Sequence, residues 1–74
     1  NRLADFILQT AHEGVYDEKH VIVCDYLGVS YRHLLHMLTQ FCKNGYLHKE
    51  GRQYRIINEG ELSKLAEALK FGAR

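Results

Sequence analysis

The sequence predicts a mainly helical domain with one small β-hairpin, an α+β fold in the order helix, helix, helix, hairpin, helix. Three observations carry this expectation. Core-facing residues recur at i, i+3, i+4 and i+7 in three separate stretches, the spacing of amphipathic helices. A Gly28-Val29-Ser30 turn joins the longest of these to the segment before it. After Asn44-Gly45 the period changes, and two short aromatic and apolar runs flank a Gly-containing turn, which is how a hairpin reads.

At 74 residues the chain forms one domain, near the lower end of what folds without disulfides or metals. Its apolar content of 46% is enough for a small core. No apolar run approaches the roughly 18 residues of a membrane span, and no signal-peptide pattern is present. Cys24 and Cys42 are too few and too far apart for a disulfide framework, so we read both as reduced, mostly buried thiols of a cytoplasmic protein. The chain begins at Asn1 without Met, as an excised domain or a processed protein would.

Leu3, Phe6, Ile7 and Thr10 share one helical face, and Gly14 follows as a stop, so the spacing predicts a helix over roughly Arg2–Glu13. Val15-Tyr16-Asp17 reads as a connector or a strand stub. Asp17 and Glu18 then place acids where the dipole of a following helix favours them. Val21-Ile22-Val23-Cys24 is β-branched and could be a buried strand. Val23, Tyr26 and Leu27 also have helical spacing, and a Gly turn follows at once, so helix is the preferred reading. Two helices joined by a short Gly-containing turn describe a helix-turn-helix, here about residues 18–44.

The second helix of that pair, from the cap residue Ser30 to Asn44, separates two faces. Leu34, Met37, Leu38 and Phe41 form an apolar stripe, and Arg32, His36, Thr39 and Lys43 lie opposite as a polar ridge. Tyr46–Lys49 and Tyr54–Ile57 then form the hairpin around Glu50-Gly51-Arg52-Gln53, a wing at about 46–57. Lys49, Arg52 and Arg55 sit on or beside its tip. Asn58 and Glu61 have capping-box spacing, and Leu62, Leu65, Ala66 and Leu69 give a last helix at about 59–71. The whole chain, 1–74, is therefore read as one winged helix-turn-helix domain.

Net charge is only +1, but its distribution is uneven. Residues 1–25 balance at −3, residues 26–57 at +4 and residues 58–74 at zero, with no Asp or Glu in Gly28–Lys49. Positive charge concentrated on the exposed side of a helix fits a phosphate backbone, although an ordinary solvated surface is the plain alternative. In a major groove, Tyr31, Arg32 and His36 would reach base edges: Arg32 by a bidentate contact to guanine, His36 by one hydrogen bond, Tyr31 by hydroxyl or apolar contact. Ser30, His33, Lys43 and Arg52 are placed for phosphates.

Other chemistries find less support. His33-x-x-His36 could begin a metal site, but no Asp, Glu or Cys lies at a matching spacing. Cys24 and Cys42 lie in or beside apolar stripes, where burial is the simpler account than nucleophilic chemistry. No phosphate-cradling Gly motif occurs. The expectation is a non-enzyme with no catalytic residue, no metal and no cofactor in these residues.

The run Asp25-Tyr26-Leu27-Gly28-Val29-Ser30, then Arg32 to Leu38, Asn44-Gly45-Tyr46-Leu47 and the Gly51 hairpin resembles the Crp–Fnr regulators, bacterial transcription factors with a C-terminal winged helix-turn-helix. The resemblance covers essentially the whole chain. It implies a sensor domain and a dimerisation helix outside these residues, with any effector bound by that sensor domain. It also implies a homodimer on a two-fold symmetric double-stranded DNA operator, and admits contact with RNA polymerase. The family's base-reading positions fall on Tyr31, Arg32 and His36. Most members have Glu at the place of Arg32 and Arg at the place of His36, so the usual half-site is not expected. The set Ser-Tyr-Arg-His-Leu-Leu at 30–35 is closer to the YeiL-type branch. A winged helix used for protein contact, without DNA specificity, is the alternative function. Operator, effector, and activation versus repression are not encoded in these residues.

Overall fold

The computed structural model describes the backbone of residues 1–72 and the side chains of residues 1–67. Four helices and a three-stranded antiparallel sheet follow one another as α1 (Arg2–Thr10), β1 (Val15–Tyr16), α2 (His20–Leu27), α3 (Tyr31–Lys43), β2 (Leu47–Glu50), β3 (Gln53–Ile56) and α4 (Glu59–Gly72). The sheet order is β1-β3-β2. This is an α+β fold with a hairpin, as the sequence predicts, and its order is that of a winged helix.

α1 begins where the Asn1 side chain accepts hydrogen bonds from the amides of Leu3 and Ala4, at 2.9 and 3.2 Å. Leu3, Ala4 and Ile7 are buried, and the helix packs against α4, whose Leu62 and Ala66 are buried in the same core. The helix ends at Thr10, three residues before the expected Glu13. Glu13 and Gly14 both adopt positive φ, 53° and 78°, and His12 and Val15 exchange two backbone hydrogen bonds of 2.9 and 3.0 Å across them. Two consecutive residues at positive φ make a tight hairpin loop of the I′ kind, so the chain reverses where helical spacing alone would have continued. The reversal delivers Val15–Tyr16 to the free edge of β3, with Val15 opposite Arg55 and Tyr16 opposite Tyr54. The stub at Val15 is thus a third strand.

α2 is a helix rather than a strand. Val23 and Leu27, one turn apart, are buried, and Gly28 at φ 70° ends it with its amide bonded to the Cys24 carbonyl. A residue with a Cβ would be strained there. The guanidinium of Arg2 donates to the Leu27 carbonyl at 3.1 Å, which ties the start of α1 to the end of α2.

α3 starts at Ser30, whose hydroxyl oxygen accepts from the His33 amide at 3.0 Å. Leu34, Leu38 and Phe41 are buried, while Met37 of the expected stripe is only half-buried. The helix closes with two backbone bonds, Tyr46 to the Phe41 carbonyl and Gly45 to the Cys42 carbonyl, with Gly45 at φ 81°. This is a Schellman ending, and it turns the chain directly into β2. β2 and β3 pair from Leu47–Ile56 to Glu50–Gln53, leaving the two-residue loop Gly51-Arg52. Before α4, the Asn58 side chain accepts from the Glu61 amide at 3.1 Å, the cap that its residue type predicts. Leu69 falls outside the residues whose side chains are described.

Candidate nucleic-acid interface

Burial of Leu34, Leu38 and Phe41 fixes the rotation of α3, and that rotation decides what faces outward. Tyr31, Arg32, His33, His36, Thr39, Gln40 and Lys43 are all exposed. Arg32 and His36 are one turn apart and stack along the helix, with Thr39 and Lys43 continuing the same ridge. Tyr31, the first residue of the helix, lies to one side of this ridge, about 100° round from Arg32, with its ring against His20. The first turn of α3 carries no acid, so its unpaired amides and dipole present net positive character to solvent. The Ser30 oxygen is engaged as an acceptor, which leaves its O–H as a donor at the same helix end.

The wing adds a second positive element. Gly51 adopts φ 65° at the first position of the loop, which puts Arg52 at the exposed tip. Among the described residues, Arg32, Lys43, Lys49 and Arg52 have no carboxylate within ion-pair distance. Arg55 differs from its expected role as a tip cation. Its guanidinium grips Glu50 with two hydrogen bonds, 3.1 and 3.2 Å, from the neighbouring strand. That contact holds the Glu50 carboxyl below the usual carboxylate range. Arg55 therefore braces the hairpin, while Lys49 and Arg52 remain its unpaired cations.

One part of the site carries no clear signal in the sequence. The His20 ring, at the start of α2, meets Tyr31 at 5.7 Å and Tyr54 at 6.5 Å between centroids. This small aromatic cluster connects the first residue of the exposed α3 face to β3 and to α2. The pairing joins residues far apart in the chain, and no local spacing encodes it. Beside it an open cleft of about 890 Å³ runs between the start of α2 and the wing, edged by Lys19, Lys49 and Arg52 but also by Asp17, Glu18 and Glu50. Cys24 and Cys42 are both half-buried. Burial raises the Cys42 thiol above its ordinary pKa, so it is a poor source of thiolate. Among the described residues no three His, Cys, Asp or Glu side chains converge as a metal set would, and no helix is long and apolar enough to cross a membrane.

No protein-family model matches the sequence, and no solved structure does. The chain is similar to a curated protein, the regulatory protein YeiL of Escherichia coli O157:H7, with 52% identity over 66 residues. The aligned region covers 89% of this chain and 30% of that protein, so the chain spans less than a third of the length of this relative.

Proposed function

We propose that the chain is the DNA-binding domain of a transcriptional regulator and that α3 reads a double-stranded operator in the major groove. The carrying observation is the outward side of α3, a capped helix with an acid-free first turn, where Arg32 and His36 are exposed one turn apart and Tyr31 is exposed to one side of them. Tyr31, Arg32 and His36 contact bases. Ser30, His33 and Lys43 contact phosphates at the two ends of the helix, and Arg52 does so from the wing. The similarity to a protein named as regulatory supports the regulatory half of this reading. The protein acts as a homodimer on two half-sites, with effector binding and contact with RNA polymerase as further functions of the whole regulator. The 74 residues themselves bind no cofactor in this reading.

Selection from a random duplex pool with a covalently linked dimer of the chain tests the proposal. The expected product is a two-fold symmetric site with half-sites about 10 base pairs apart. If no sequence is retained even at low salt, the domain is instead a protein-contact module without DNA specificity.

A further inference from the structure

Five large apolar side chains are more than half exposed among the described residues, and three of them, Val21, Ile22 and Tyr26, belong to the eight-residue helix α2. Single exposed apolar residues are ordinary, but these are not scattered. At 3.6 residues per turn, Val21, Asp25, Ile22 and Tyr26 follow one another around an arc of roughly 140° on the side opposite Val23 and Leu27. The exposures are 70% for Val21, 55% for Ile22 and 65% for Tyr26. α2 is therefore apolar on its inner and its outer face, a composition that suits a helix covered on both sides. Phe6 of α1 extends the patch, its ring 5.0 Å from that of Tyr26.

We propose that this outer face of α2 docks a protein segment presenting an apolar ridge with at least one Lys or Arg. Charge selects the occupant. Asp25 lies between the apolar side chains and has no ion-pair partner among the described residues. DNA is a poor occupant, because the face offers a carboxylate and almost no donors to phosphate. A second copy is a poor occupant too. An isologous pairing brings Asp25 of both chains onto one face, whose described cations, Lys19 before the first turn and Arg2 on the Leu27 carbonyl, stand at its two ends. An apolar partner with a basic residue buries Val21, Ile22 and Tyr26 and pairs Asp25 at once. The proposal stands independently of DNA binding by α3.

The test uses the ¹⁵N-labelled chain and two synthetic amphipathic helical peptides with the same Leu face, one flanked by Lys and the other by Glu. Expected is a set of amide shifts centred on Val21–Tyr26, with the Lys peptide bound several-fold tighter, up to roughly fivefold for one exposed ion pair. Asp25→Lys reverses the preference, and Ile22→Glu removes binding while the amide spectrum stays folded. The proposal is overturned if neither peptide binds, if both bind equally, or if the shifts map elsewhere. It is also overturned if the same amides shift on raising protein concentration without peptide, since a second copy is then the occupant.

Discussion

α2 and α3 are consecutive helices joined by one short turn, yet they distribute their side chains in opposite ways. α3 segregates: Leu34, Leu38 and Phe41 go inward, and every cation goes outward. α2 does not: Val23 and Leu27 go inward, while Val21, Ile22 and Tyr26 go outward beside a single acid. Their starts differ as well. Ser30 caps α3 through its hydroxyl, whereas Lys19 at the start of α2 makes no side-chain cap. The difference separates two kinds of surface. A face rich in unpaired donors and free of acids suits phosphate and base edges, and a face of aliphatic and aromatic groups around one carboxylate suits protein. The inner faces hold the fold, and the proposed partners fall on different outer faces.

Core truncation should break the comparison most severely. Leu38→Ala removes a side chain that is 1% exposed and should cost about 2–5 kcal/mol in urea unfolding. Ile22→Ser on the outer face of α2 should stay within about 0.5 kcal/mol of the parent. Equal losses would mean that α2 is buried on both sides within the chain itself.

Binding variants come next. Arg32→Ala should weaken operator binding by about 1–3 kcal/mol and relax the choice at one base position. Lys43→Ala should weaken all sequences alike and reduce the slope of log K against log salt by about one. Asp25→Asn should leave DNA affinity nearly unchanged. These are read by fluorescence anisotropy on a series of single-base variants.

Helix capping gives a smaller contrast. Ser30→Ala should cost about 1 kcal/mol, and Lys19→Ser should add a fraction of that, because it supplies an absent cap and removes a cation from the positive end of the dipole. The smallest effect should come from pH. Glu50 is held below its ordinary pKa by Arg55, so its contribution to stability is present above the unfolded carboxylate pKa and fades as pH falls through the lowered folded value. Arg55→Gln should flatten that part of the acid limb, as followed by thermal melts from neutral pH downward.

The sequence makes α3 legible nearly to the residue, because its signals are local. Ser30 can cap only the turn that follows it, Asn44-Gly45 ends the periodic run, and the i, i+3, i+4, i+7 stripe fixes the inner face. The hairpin is legible for the same reason, since Gly51 marks its loop. What escaped the sequence depends on partners far along the chain or on unusual backbone. Glu13 accepts φ 53°, which its residue type does not announce, and so α1 stops early. β1 has two residues, too few for alternation to show, so the sequence leaves connector and strand stub both open, and the edge of β3 decides for the strand. The guanidinium of Arg2 on Leu27 and the ring of His20 between Tyr31 and Tyr54 are side-chain contacts across elements. Of the residues expected to reach DNA, all seven are exposed, and exposure is as far as helical spacing and turn chemistry carry them.

The most direct test of the division between the two helices is an amide-shift titration of the labelled chain with a selected operator duplex. The expected shifts centre on Ser30–His36, with further changes at Lys43 and Arg52, while Val21, Ile22, Asp25 and Tyr26 stay in place. Shifts centred on the outer face of α2, with Arg32 and His36 undisturbed, would contradict the account.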